Sequence, residues 1–502
     1  MREWGVTHVD ELEFPSESLL RHWCERVCGA GYRGTGTAVH DALIDWVVEQ
    51  AGTIPGFAVR TDEYELLGWH PLPEGDLEHA GTLRTGDVEV AVAGAVPYSL
   101  ATTTTGRLTY VPRGEPISEA CAGEVVLRDF PVFALPYELL FAQHLHLTPD
   151  TDQLRGQVWD RPGLANTVLH DDLLAAGAAG AAGIVFAFDI PREQIVGYYE
   201  PHMGTHYRVP AVFVGVDERD RLLGLAEQGA QVEMTVRAEV RPVTTRNVHA
   251  TLAGQTDERI VLITHTDGNT WVQENGITAL LAIGHYAATL PIAERRRTIE
   301  LTFTSAHLHI SREGSHRYSA QLDRDYDDGT IAFAFAIEHL GARDLNPVPR
   351  TDGPGRRLEF TDAAELLLWC VGPSDPMRRA VVDATSTRDL DRVLVAPGFG
   401  APVEGQVPEI VSFGGIGTPY HAHLVPTMSI ITGPWSLWAP AFGAEAIDIG
   451  LLRAQVLAAA DVVRALDGVP RDAIAGGYLA DRAARAAGAT AGRDVEPPEL
   501  AP

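Results

Sequence analysis

The stretch NVHATLAGQTDERIVLITHTD, residues 247–267, decides the fold. Its centre, ERIVLITH (258–265), is an apolar run that stops on a polar residue. That is how a strand covered on both faces reads where it meets a crevice. NGITALLAIGHYAATL (275–290) follows with the spacing of an amphipathic helix, capped by Asn275 or a neighbour. TIELTFTSA (298–306), TIAFAFAIEHLGA (330–342) and PTMSIITG (426–433) read as three more buried strands, and a strong late helix is expected over 449–467. Strands alternating with helices predict an α/β chain with a mostly parallel or mixed sheet flanked by helices.

Upstream the texture differs. Residues 17–52 read as helix: Leu19, Leu20, Trp23 and Val27, then Ala42, Leu43, Trp46 and Val47, recur at three- and four-residue steps, and glycines at 29, 31, 34 and 36 interrupt them. From 65 to 242 the chain turns to short strands and loops, among them VEVAVAG (88–94) and GEVVLRDF (123–130). The expected organisation is N-terminal helices of the main unit over 1–64, an inserted β-rich domain over 65–242, the main α/β unit over 243–486, and a flexible tail over 487–502.

In open α/β sheets, ligands bind beyond the C-terminal ends of the strands. Four such places carry ligand-type side chains: His265 and Asp267 in THTDG, His307 and His309 in SAHLHIS, Glu338 and His339 in AIEHLGA, and His421 and His423 in TPYHAHLVP. Imidazoles and carboxylates gathered on one crevice suit a divalent transition metal. Trp271, in the loop after His265, and the Tyr- and His-rich stretch GYYEPHMGTHYRVP (197–210), with Tyr198, His202 and His206, are candidates for shaping a substrate pocket.

The order of these segments resembles the co-catalytic zinc aminopeptidase family, which includes the glutamate carboxypeptidases and the transferrin-receptor ectodomain. GYRGTGTAVHDALIDWV (31–47) is similar to the helix before that family's inserted domain, and AAGAAGAAGIVFAF with RVPAVFVGVDERDRLLGL is similar to its protease-associated domain. The similarity runs from about residue 17 to about 470. It implies that His265 is a metal ligand oriented by Asp267, and that Glu338 replaces the Asp of the third strand. At the other ligand positions the pattern departs. Val272 stands at the place of the bridging Asp, with Glu274 nearby; His307 and Leu308 stand at the paired Glu positions of general base and ligand; Gly417 stands at the terminal His, with His421 following.

Without a bridging carboxylate, a site for one divalent metal is expected, zinc first, with iron or copper as alternatives. The ligand candidates are His265, His309, Glu338 and His421, and the candidates for proton transfer are His307, as ligand or base, and Glu274, with Asp267 orienting. The resemblance implies a metal-dependent hydrolase of an amide or peptide-like bond in a small molecule or short peptide. Non-hydrolytic metal chemistry and an inactive binding protein stay open beside it, as does a homodimer.

The chain has 502 residues, 39 Lys+Arg against 68 Asp+Glu and a net charge of -29, which repels phosphate backbones and anionic lipid, so neither nucleic acid nor membrane is an expected partner. Four cysteines do not make a disulfide framework. No apolar run reaches the roughly 18 residues of a spanning helix. MREWGVTHVDELEFP does not read as a signal peptide, so a cytoplasmic location is expected.

Overall fold

The computed structural model describes residues 8–201, 204–399, 406–407 and 412–491. A nine-stranded mixed sheet forms the main layer. Its four central strands, Arg297–Thr304, Thr256–His265, Ile331–Ile337 and Thr427–Ile431, lie side by side and run parallel. Antiparallel pairings flank them, to Ala238–Leu252 on one side and Leu367–Val371 on the other. Every residue of Arg297–Thr304 and Ile331–Ile337 is buried, the consequence of helices on both faces.

The helix Gly276–Thr289 is apolar nearly all round and packs directly on the sheet. A Cβ on Gly276 would stand 2.1 Å from the Ile337 carbonyl oxygen, so only glycine lets the helix begin against the strand ends. Asn275 does not cap this helix with its side chain. Its amide instead clamps the backbone of Leu340, taking the Leu340 N–H at 2.8 Å and donating to the Leu340 carbonyl at 2.7 Å. The late helix spans Ile449–Asp467 and is capped by the Asp448 carboxylate, which accepts the Leu451 N–H at 2.9 Å.

Two long antiparallel strands, Phe57–Pro71 and Ala238–Leu252, pair along their whole length, from Phe57 opposite Leu252 to Pro71 opposite Ala238. They carry the chain out to a second, eight-stranded sheet, whose strands lie between Gly81 and Val236, and back again. Part of the intervening chain returns to the main layer: His146–Leu147 forms its edge strand, and the buried Arg161 pairs with Asp344 at 2.7 Å and Glu365 at 2.9 Å. The expected tail begins within the structure, where Thr490–Ala491 pairs with Gln406–Val407; residues 492–502 lie outside the described residues. Among the described residues no helix is long and apolar enough to cross a membrane.

Candidate metal centre

Three side chains from three neighbouring strand ends converge. His265 closes Thr256–His265, His307 lies in the turn after Arg297–Thr304, and Glu338 follows Ile331–Ile337. One ligand atom from each lies within 4.8 Å of the other two, and all three residues are buried. His265 Nε2 is 3.1 Å and His307 Nε2 is 3.9 Å from Glu338 Oε2.

The surroundings fix these groups. His265 Nδ1 donates to the Asp267 carbonyl at 2.9 Å, which turns Nε2 toward Glu338. The Asp267 carboxylate lies 3.6 Å from the same Nδ1 and accepts the backbone N–H groups of His307 at 3.1 Å and Leu308 at 2.7 Å, as well as the Thr35 hydroxyl at 2.9 Å. It therefore sets both the first imidazole and the turn carrying the second. Glu338 Oε1 accepts the Ile416 N–H at 2.8 Å, leaving Oε2 to face the imidazoles. At Gly415, φ is +50° and a Cβ would sit 1.7 Å from Glu338 Oε1, so the chain passes that carboxylate only as glycine.

His265 Nε2 and Glu338 Oε2 are both buried and neither has a hydrogen-bond partner among the described residues, although they stand 3.1 Å apart: close enough for an ion pair, but not aligned for a hydrogen bond. Two ligand atoms sharing a tetrahedral zinc at bonds of ~2.0–2.1 Å would lie ~3.3 Å apart. The donor set and its orphaned atoms thus fit a metal ion.

The charges agree. Against its burial, Asp267 and Glu338 raise His265 to about 10, so without a metal this ring carries a proton that a metal ion would displace. Burial pushes Glu338 up, and His339, His265 and His307 more than reverse it, to about 2. Asp267 is likewise held well below the usual carboxylate range by His265, against its burial. Two buried carboxylates that stay ionised make a pocket suited to positive charge.

A fourth imidazole stands beside the three. His339 Nδ1 donates to the Thr432 carbonyl at 3.1 Å, and its Nε2 lies 3.5 Å from Glu338 Oε2. Burial lowers His339 to about 4, so the ring is neutral near pH 7 and bears on Glu338 as a charge only in acid, where that carboxyl titrates. Its backbone is left-handed, φ +57°, which swings the residue after Glu338 back toward the same point. His339 was visible in AIEHLGA as Glu338's neighbour, but alternation along a strand would have sent it to the opposite side.

The other expected site residues are engaged elsewhere. The Glu274 carboxylate pairs with the buried Arg33 guanidinium, which also donates to the carbonyls of Cys28 and Thr270. His309 accepts the Ser311 N–H on Nδ1 and donates from Nε2 to the Leu67 carbonyl at 3.1 Å, so both ring nitrogens are occupied. His421 bonds Tyr478 and stacks on Phe413. Tyr198 is buried with its hydroxyl on Glu200, His206 lies 3.3 Å from the Leu67 carbonyl, and Trp271 packs half-buried against the core. His202 lies outside the described residues. Tyr199, from the second sheet's region, donates to the Leu308 carbonyl at 3.2 Å, which brings that region over the His307 turn.

Solved structures decide the fold. The zinc aminopeptidase of Bacillus subtilis superposes with a TM-score of 0.62 at 13% identity, over 90% of this chain and 95% of that one. A peptidase M28 precursor from Shewanella amazonensis SB2B superposes with a TM-score of 0.59 at 14% identity, over 91% and 97%. The fold is that of the zinc aminopeptidases. An aminopeptidase from Aneurinibacillus sp. strain AM-1 superposes on it as well, with a TM-score of 0.53 at 16% identity, over 88% of this chain and 93% of that one. No protein-family profile and no curated protein sequence matches the chain.

Proposed function

We propose that the chain is a metal-dependent hydrolase of an amide or peptide-like bond in a small molecule or short peptide, with a mononuclear centre held by His265, His307 and Glu338. The observation that carries this reading is the convergence of those three side chains with His265 Nε2 and Glu338 Oε2 buried and unbonded. A divalent metal there would supply Lewis-acid polarisation of a carbonyl and a more acidic water.

The residues have separable tasks. Asp267 orients His265 and holds the His307 turn. His339, neutral and fixed at Nδ1, presents a free Nε2 lone pair as proton acceptor beside Glu338. His307 is the most exposed of the three ligands, at 8%, and marks the side from which substrate enters. Arg33 holds Glu274 Oε1 and balances its charge, while Oε2 is buried with no hydrogen-bond partner among the described residues, so Glu274 serves first as the counter-charge of Arg33. We read the eight-stranded sheet of the inserted segment 65–242 as a protease-associated lid, supported by the Tyr199–Leu308 contact. The four thiols are unpaired, which agrees with a cytoplasmic location.

The test is turnover of a panel of aminoacyl and acyl amides by protein reloaded with zinc, manganese or cobalt. Hydrolysis lost in Glu338→Gln supports the proposal; no turnover with any of the three overturns it. One second reading has its own support: two imidazoles and one carboxylate is also the donor set of non-haem Fe(II) oxygenases. Activity only with ferrous iron and oxygen would select it.

A further inference from the structure

The turn that carries His307 is held from two directions. Ala306, just before it, has φ +59°, a left-handed backbone that is disfavoured for any residue with a Cβ. Such a conformation persists only where its surroundings over-determine it. From the main unit, the Asp267 carboxylate accepts the N–H groups of His307 and Leu308. From the inserted segment, the Tyr199 hydroxyl donates to the Leu308 carbonyl at 3.2 Å. Leu308 is thus bonded at its N–H by one unit and at its carbonyl by the other.

Tyr199 is itself fixed. It is 1% exposed, and its ring stands edge-on to Tyr32 with centroids 5.1 Å apart. Its N–H donates to the Trp438 carbonyl at 3.0 Å. Two residues earlier, the Gly197 carbonyl accepts the Asn269 side-chain amide at 2.8 Å. Asn269 lies two positions after Asp267, and its own N–H goes to the Gln273 side chain at 2.6 Å. The Gly197 N–H runs the other way, to the Ala93 carbonyl at 3.0 Å, in a strand of the eight-stranded sheet. Residues 197–199 therefore tie that sheet to the loop after His265, to the Trp438 loop and to the His307 turn.

We propose that Tyr199 is a positioning residue of the metal centre, and that docking of the inserted sheet and metal binding are coupled through it. The inference rests on the reading of His265, His307 and Glu338 as that centre. The chain of contacts is short. The inserted sheet holds the loop through Gly197, Tyr199 holds the Leu308 carbonyl, and the turn so fixed presents His307 to Glu338. By linkage, whatever factor the docked loop gives to metal affinity, the metal returns to docking. The inserted segment then acts as a fixed part of the centre as well as its cover.

The test compares the full wild-type chain with Tyr199→Phe and Tyr198→Phe. Tyr198 is the control, because its hydroxyl is on an equally buried residue but bonds Glu200 instead of the turn. Zinc affinity, measured by competition with a chelator, should fall ~10-fold in Tyr199→Phe, the lower end of the range for residues that support a ligand from one step out. It should keep the wild-type value in Tyr198→Phe. Hydrogen exchange read by mass spectrometry follows the other end of the coupling: zinc should slow exchange over residues 195–200 in the wild type, and much less in Tyr199→Phe. Equal zinc affinity in wild type and Tyr199→Phe, or an equal fall in Tyr198→Phe, would overturn the coupling and leave the metal centre standing. Failure of the wild type to take up zinc would overturn both.

Discussion

His265 Nε2 and Glu338 Oε2 stand 3.1 Å apart in the interior, and neither makes a hydrogen bond among the described residues. Buried polar atoms are almost always satisfied, so such a pair points to a ligand between them. Glu338→Gln keeps the side chain's shape and an oxygen for the Ile416 N–H, but removes the charge. Metal affinity, measured by competition with a chelator, is expected to fall by more than ~100-fold, beyond the range for outer-shell partners.

Asp267 and Asn275 act one step further out. Asp267 holds the His307 turn, and Asn275 clamps Leu340 two residues after Glu338. Asp267→Asn and Asn275→Ala should each weaken metal binding by ~10–100-fold. Stability of the metal-free protein should follow a different order, since Asn275→Ala leaves two buried backbone groups of Leu340 unpaired. Chelator competition alongside denaturant unfolding separates the two effects.

Arg33 and Glu274 are both fully buried and bonded to each other. Removing one partner leaves an uncompensated charge in the core. Glu274→Gln or Arg33→Ala should cost ~3–5 kcal/mol in denaturant unfolding. Replacing both with Met should recover much of that loss, and a double-mutant cycle measures how much.

Glu200 makes stability depend on pH. Burial pushes its carboxyl up to about 8, with the Tyr198 hydroxyl and the Asn166 N–H pulling it back only in part. Unfolded, the group titrates near its model value of 4.5. Between those values the folded state binds the extra proton, so this residue makes the protein less stable as pH rises, by up to ~1.4 kcal/mol per pH unit. In urea unfolding from pH 5 to 8 the wild type should lose stability relative to Glu200→Gln with that slope, because the buried neutral histidines His40, His309, His339 and His421 act equally in both proteins. Equal slopes would mean Glu200 is already ionised at pH 5.

Much of the fold was legible because its central strands are continuous apolar runs that stop on polar residues. Thr256–His265 ends on His265, and Ile331–Ile337 is followed at once by Glu338. Which polar residues would face one another was less legible, because distant partners decide it. His309 is taken by the Leu67 carbonyl, His421 by the Tyr478 hydroxyl, and Glu274 by Arg33, 241 positions away. No local spacing announces such pairs. Asn275 reads as a helix cap, yet it serves the loop after Glu338, because Gly276 starts the helix against the sheet and leaves the amide facing Leu340.

The central question is how many metal ions the chain holds. Plasma mass spectrometry on protein purified without chelator or nickel, compared with His265→Ala, answers it. Close to one divalent metal per chain, lost in the variant, is the predicted result. Two metals per chain, or one that His265→Ala leaves in place, would contradict a mononuclear centre built on His265, His307 and Glu338.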